Sequence, residues 1–321
     1  MTLHSIIAEY RVPNSYKSIQ QLAGTLAAYL GFLWLAITQA QHWFILLPTA
    51  AACGVTAVRL YMLQHDCMHR CFLTPRWLND LVGVLLSPFT LTPFAVGRYN
   101  HNLHHSHVGD LDHRDTFEIN VLTVKEYRGL PVWRRLCYRL YRSPITLIIV
   151  GPFLVYAIFH RFPKNTLKGG FMKDVLIHNF LFFGFYGLIY YWAGVTGLCV
   201  LLLSVWIGVS FGAIIPYVEH NFEDVHWGRR PELTSQIAAT ESSAVLDFGR
   251  VYHWLTANIG FHDLHHLNPM IPNYNLQNCH ARLEDAGLLH SRKISIREAV
   301  ACFGWKLWDE DAEKMVTFAA A

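Results

Sequence analysis

Residues 43–69 read WFILLPTAAACGVTAVRLYMLQHDCMH. The stretch 43–63 has the length of a bilayer crossing, which takes about 20 predominantly apolar residues. Its one formal charge, Arg59, stands a turn from the end of that run, where the guanidinium is expected to snorkel to the interface. Directly beyond come His65 and His69. Four residues apart on a helix, their imidazoles share one face. A span that delivers paired imidazoles to the membrane surface sets the reading of everything around it.

The rest of the chain agrees with a membrane protein. Of 321 residues 53% are hydrophobic and only 15% charged, against about 25% charged in soluble domains. A net charge of +3, scattered along the chain, does not describe a nucleic-acid binder. Seven cysteines without a CxxC pair make neither a disulfide framework nor a zinc ribbon. Four runs are long and apolar enough to cross: about 20–38, 43–64, 175–193 and 195–218. Two shorter runs, 81–96 and 145–159, are interrupted by Pro88, Pro93 and Pro152, and read as segments that dip into the bilayer and return. The expected fold is all-α and multi-pass: four transmembrane helices in two hairpins, with interfacial or re-entrant helices and a cytoplasmic cap over 65–174 and 219–321. The chain 1–321 reads as a single domain.

Charge sets the orientation. The links at 39–42 and around Gly194 contain no Lys or Arg, whereas Arg11, Lys17, Arg70, Arg76, Lys168, Lys173, Arg229 and Arg230 flank the opposite ends. The positive-inside rule then places both termini and the long middle loop in the cytoplasm. Over 131–143, Trp133, Leu136 and Leu140 alternate with Arg134, Arg135, Arg139 and Arg142 at helical spacing. Such a helix lies on anionic headgroups or packs on the protein's own cap. Ser295 and Glu298 read as a capping box that starts a C-terminal helix.

Nineteen histidines are the anomaly of the composition, and they cluster. His101, His104 and His105 form HxxHH; His262, His265 and His266 repeat it; His220 follows the fourth span. If both short runs dip, all nine of these imidazoles face one compartment and one shared site; if either run crosses, they cannot share metal. One ion takes three or four such ligands, so nine imply two ions with four or five nitrogens each. Imidazole suits iron, zinc, copper and nickel alike. A soluble di-iron bundle needs carboxylates and two ExxH motifs, of which only Glu223–His226 is present. A zincin needs HExxH, and residues 65–69 carry Asp66 where its Glu would stand. An all-histidine di-iron centre that activates oxygen is the best fit. A zinc hydrolase and a non-catalytic metal or haem carrier stay as alternatives.

HDCMH at 65–69, HNLHH at 101–105 and HDLHH at 262–266, with hairpins between, resemble the integral-membrane fatty acid desaturase superfamily. The likeness runs from about residue 16 to 290. The text after the third box, through Pro269 to Leu276, is similar to bacterial acyl desaturases of the delta-12 (omega-6) type, as are residues 218–223 and 133–139. The resemblance implies that the eight box histidines and His220 ligate two irons. It implies removal of two hydrogens from adjacent methylenes of an acyl chain, with O2 and two electrons. No haem or flavin fingerprint occurs, so a separate ferredoxin or b-type cytochrome is expected to dock on the basic cytoplasmic face. Acyl hydroxylation or acetylenation on the same centre is the alternative outcome. The resemblance departs at Met68, where a small residue is usual, and at Glu219, where Gln is usual.

Around the ligands, Asp66 and Asp263 are expected to orient neighbouring imidazoles, the alternative being plain helix-surface placement; Glu219 either takes a proton from one or is a solvated surface carboxylate, and Asn258 either holds a metal-bound water or is an ordinary helix-face polar residue. The remaining histidines, including His107, His113, His160, His178, His253 and His280, read as structural or solvated. Asp110, Asp112 and Asp115 read as a polar loop.

Overall fold

A computed structural model describes residues 2–114 and 119–320; Asp115 lies outside the described residues. Helix α1 (Leu3–Tyr10) precedes two long antiparallel helices, α2 (Ser15–Thr38) and α3 (Trp43–Met68). Both pass the length and hydropathy test for a membrane span. Asn14 caps α2, its side chain accepting from the Lys17 amide at 3.1 Å. Trp34, Trp43 and Phe44 stand exposed on these helices, as lipid-facing side chains do.

The third candidate span is continuous by its hydrogen bonding over Met172–His220, 49 residues. Straight, it would run about 74 Å, more than twice the hydrocarbon thickness. Gly194 breaks it. Its φ/ψ of 61°/−154° lies in a region open only to glycine. The chain folds back there, so that Gly197 lies against Ile189 and Ala193. The second half then crosses α3 in backbone contact, where a Cβ on Gly54 would strike the Ser204 carbonyl and the Gly208 backbone. Small residues at this crossing are what close helix approach inside a bilayer requires.

The two proline-interrupted runs take different forms. The first is a pair of helices, α4 (Trp77–Thr90) and α5 (Phe94–His107), meeting at 93°. Pro93 stands as the N-cap of α5, and a residue before proline is steered away from helical geometry. Gln64, buried near the end of α3, pins the elbow: its Nε2 donates to the carbonyls of Gly83 (2.8 Å) and Thr92 (3.2 Å), and its Oε1 accepts from Thr90 (2.7 Å). The second run, Ile145–Arg161, alternates π, α and 3-10 turns. It leaves the helix α7 (Val132–Tyr141) at 54°. In α7, Trp133, Leu136 and Leu140 are 60%, 61% and 69% exposed, so its apolar face does not pack on the cap.

Two arginines depart from the sequence reading. Arg59 does not snorkel, because α3 continues to Met68. It is buried instead, donating to Thr25 Oγ1 at 3.2 Å with its guanidinium 4.8 Å from the Trp254 ring centre. Arg142, placed with the headgroup-facing charges of α7, is wholly buried at that helix's C-cap. Among the described residues the regular structure is helical apart from isolated bridges and a three-stranded sheet, Leu122–Thr123, Leu307–Asp309 and Lys314–Val316. The capping box at Ser295 and Glu298 starts the helix Ile296–Ala301.

Candidate metal centre

Four elements deliver the imidazoles to one place. His65 lies in the last turn of α3 and His69 caps it; α5 carries His101, His104 and His105. His220 ends the helix begun at Met172, and the short helix His262–Leu267 carries the third triplet. Six residues do not make a stable helix alone. This one is held through Leu264 and Phe261, which pack with Ile6, Ile7 and Leu276.

The nine histidines separate into two shells. His65, His69, His101, His105 and His265 form the first, and His104, His220, His262 and His266 the second. Within each shell the donor atoms all lie within 4.8 Å of one another. Helix geometry explains the division. In HxxHH the outer pair, four apart, points one way and the middle ring another. His101 and His105 therefore enter the first shell while His104 enters the second; His262 and His266 enter the second while His265 crosses to the first. All three histidine clusters and His220 thus interlock.

The spacings fit metal better than hydrogen bonding. His101 Nε2 lies 2.9 Å from His69 Nε2 and 3.0 Å from His105 Nε2, and His105 Nε2 lies 3.0 Å from His265 Nε2. In the second shell His262 Nε2 is 2.9 Å from His220 Nε2 and 3.1 Å from His266 Nε2. One ring N–H cannot serve two neighbours. Adjacent ligands on an ion with bonds of about 2.1 Å at right angles stand about 3.0 Å apart, which matches. Burial, then the neighbouring imidazoles, holds His262, His265 and His266 well below the ordinary histidine range, so they are neutral ligands.

The surrounding groups are distributed unlike the sequence expectation. His220 Nδ1 contacts the Ser242 carbonyl at 2.8 Å, which turns Nε2 inward. Glu219, buried, sets Oε2 3.3 Å from His262 Nδ1, outside hydrogen-bond geometry. Asp66 turns away from the imidazoles and accepts from the backbone N–H (2.8 Å) and side chain (2.7 Å) of Asn273. Asp263 accepts from the Leu264 amide at 2.7 Å and from Ser291. Asn258, at φ 59°, donates to the Asn273 carbonyl at 2.9 Å. Asn273 is thus a hub that sequence reasoning missed, tying the first cluster to the turn before the third. Met68 is buried beside Gly97. His107 stacks on His113 and His253 contacts Asp247, both outside the two shells.

A cavity of about 710 Å³ reaches the centre, within the range of small-molecule sites. His65, His101, His104, His220 and His262 line it, and it continues between α3 and the second half of the helix Met172–His220, past Val58, Val205, Gly208 and Gly212. Helices of membrane-crossing length that set two all-histidine shells against an apolar cavity define a membrane metalloprotein built for an apolar substrate.

Comparison with known proteins names the family. The model described as fatty acid desaturase matches residues 40–297. A fatty acid desaturase of Bacillus subtilis is 31% identical over 98% of this chain and 89% of its own length. An sn-1 oleoyl-lipid 12-desaturase of Picosynechococcus is 26% identical over 84% of this chain and 78% of its own. An sn-1 acyl-lipid omega-3 desaturase (ferredoxin) of Nostoc is 27% identical over 85% and 76%. The chain belongs to the fatty acid desaturase family, and it is an oxidoreductase of fatty acyl chains.

Proposed function

We propose that the protein is an acyl-lipid desaturase of delta-12/omega-6-like regiochemistry, with two iron ions held by the nine histidines. The division into five and four nitrogens at the head of an apolar cavity is the observation that carries this reading. The relatives from Picosynechococcus and Synechocystis, both named as sn-1 oleoyl-lipid 12-desaturases, support the regiochemistry. Iron supplies the O2 activation that an unactivated C–H bond needs, since such a bond offers no acid–base handle. The chain's own residues hold the neutral imidazoles inward and shield them from water, and the cavity walls align the methylenes. The two electrons come from a separate donor, a ferredoxin or b-type cytochrome, at the basic face; the ferredoxin in the name of the Nostoc relative supports this.

The same reading gives the membrane arrangement: two hairpins, four crossings, two dips, and both termini with the metal centre in the cytoplasm. Residues 1–321 act as one desaturase domain. The test is gas chromatography of fatty acid methyl esters after expression in a host that makes only saturated and monounsaturated chains. A new diene is expected. Hydroxy or acetylenic acids in its place would overturn the desaturation chemistry, and an unchanged profile with zinc bound would overturn the oxidoreductase centre.

A further inference from the structure

The short helix His262–Leu267 serves both shells at once. It gives His265 to the first and His262 and His266 to the second. Six residues cannot hold that orientation by their own hydrogen bonds, and Leu264 and Phe261 secure only its apolar side. On the polar side a carboxylate turns inward: Asp263 is 0% exposed. A carboxylate in such a place is costly unless hydrogen bonds answer it.

Two residues from outside the histidine clusters supply that answer. Ser291 donates its hydroxyl hydrogen to Asp263 Oδ2. A hydroxyl has one hydrogen, so Ser291 Oγ, 2.8 Å from His280 Nε2, accepts from that ring N–H. His280 is itself buried, with Nε2 3.6 Å from Asp263 Oδ1 and Nδ1 3.5 Å from Glu284 Oε2. Lys293 Nζ reaches the same Glu284 oxygen at 2.8 Å. The His280 ring also lies 4.9 Å from that of Phe261, the residue before the first ligand of the triplet. His280 belongs to the helix Asn273–Asp285, whose first residue, Asn273, holds Asp66 beside His65. One helix thus grips the first cluster at its start and the third about two turns later.

We propose that His280 and Ser291 are positioning residues that fix the His262–Leu267 helix before metal arrives, so that the two ions bind independently. Were the helix free to leave, the first ion to bind would bear the whole cost of ordering it, and the second would find it in place. A site that is competent for a fraction of the time binds more weakly in proportion to that fraction, and a shared ordering step makes the two ions cooperative. A helix held in advance removes both effects. The proposal rests on the two-ion reading of the centre and on nothing about the acyl substrate.

The experiment is anaerobic EDTA titration of the full-length ferrous protein in detergent, with iron counted after the chelate is removed. Wild type is expected to release two ions along a curve no steeper than independent sites give, a Hill coefficient of about 1. His280→Leu and Ser291→Ala are expected to weaken the first binding step by up to about 10–100-fold, the worth of a hydrogen bond to a buried charge. Both ions should then leave in one step, with the coefficient rising toward about 2. His280→Gln keeps an N–H near the ε position and is expected to restore independent release. A lower melting temperature in the first two variants with release still independent, loss of one ion only, or a wild type that itself releases both in one step overturns the proposal. Should those variants not fold, hydrogen–deuterium exchange of the metal-free wild type decides. Protected amides at His265 and Asn268, which donate to the Phe261 and Leu264 carbonyls, support a helix formed in advance; exchange at the rate of unstructured chain overturns it. A wild type that binds a single ion strikes the two-ion reading instead, and the exchange measurement, made without metal, still tests the clasp.

Discussion

Glu219→Gln separates the metal role of this carboxylate from its cost to the fold. Glu219 is 1% exposed; Oε1 has no hydrogen-bond partner and Oε2 faces His262 Nδ1 at 3.3 Å. Glutamine keeps the volume and removes the charge. In the metal-free protein a buried, poorly solvated carboxylate is a liability, so the variant is expected to be more stable by on the order of 2 kcal/mol. In the loaded protein the sign reverses. A group that raises the basicity of a ligand imidazole is worth about 10–100-fold in metal affinity, or about 1.4–2.7 kcal/mol. Only the shell of His104, His220, His262 and His266 contains that ligand. Chelator titration followed by metal analysis should therefore show one ion released at about 10–100-fold lower chelator, with the other unchanged. Thermal melting of the metal-free form supplies the second readout. Release of both ions together, or no shift in either alongside a less stable apo-protein, would refute the role given to Glu219.

Gln64→Ala removes the amide that joins the Gly83 and Thr92 carbonyls at the α4–α5 elbow, while the Thr90 hydroxyl keeps the Leu86 and Ser87 carbonyls as acceptors. A loss of about 2–4 kcal/mol and reduced metal content are expected in melting and metal assays, and a variant within about 1 kcal/mol of wild type would contradict the pinning. Gly54→Val drives a side chain into the Ser204 carbonyl and Gly208 backbone, so size-exclusion chromatography should show aggregation, and a monodisperse, active variant would count against the crossing. Burial and the neighbouring Arg142 push Lys306 down to about 8 from 10.5. Between those values the unfolded chain binds a proton the folded chain has released, so stability should rise with pH across that window. Melting of wild type against Lys306→Met should show the difference moving in favour of wild type from pH 8 to 10; a flat or opposite trend would argue against a buried amine.

What the sequence disclosed is what depends on local spacing. The long apolar helices, the proline elbow, the helix at Val132–Tyr141 and the capping box at Ser295 all follow from periodicity and turn chemistry within a few residues. The nine histidines stood out because HxxHH twice in one chain is a spacing, not a composition. The division of each triplet between two shells was not legible, since it depends on how α5 faces the helix His262–Leu267. Asp66 was misread for the same reason: its partner Asn273 lies 207 residues away, and adjacency to His65 suggested an imidazole contact instead. Arg142 looked like one more headgroup-facing charge because periodicity cannot report that Asn221 and Trp305 cover it. Gln64 carried a signal that went unused, a polar side chain in the last apolar turn before the first ligand. The small sheet has strands of two or three residues, too short for alternation to register.

Crystallographic anomalous difference maps at the iron and zinc absorption edges bear most directly on the two-shell centre. Two peaks at the iron edge are expected, one enclosed by His65, His69, His101, His105 and His265, the other by His104, His220, His262 and His266. A single peak, or signal at the zinc edge alone, would contradict it.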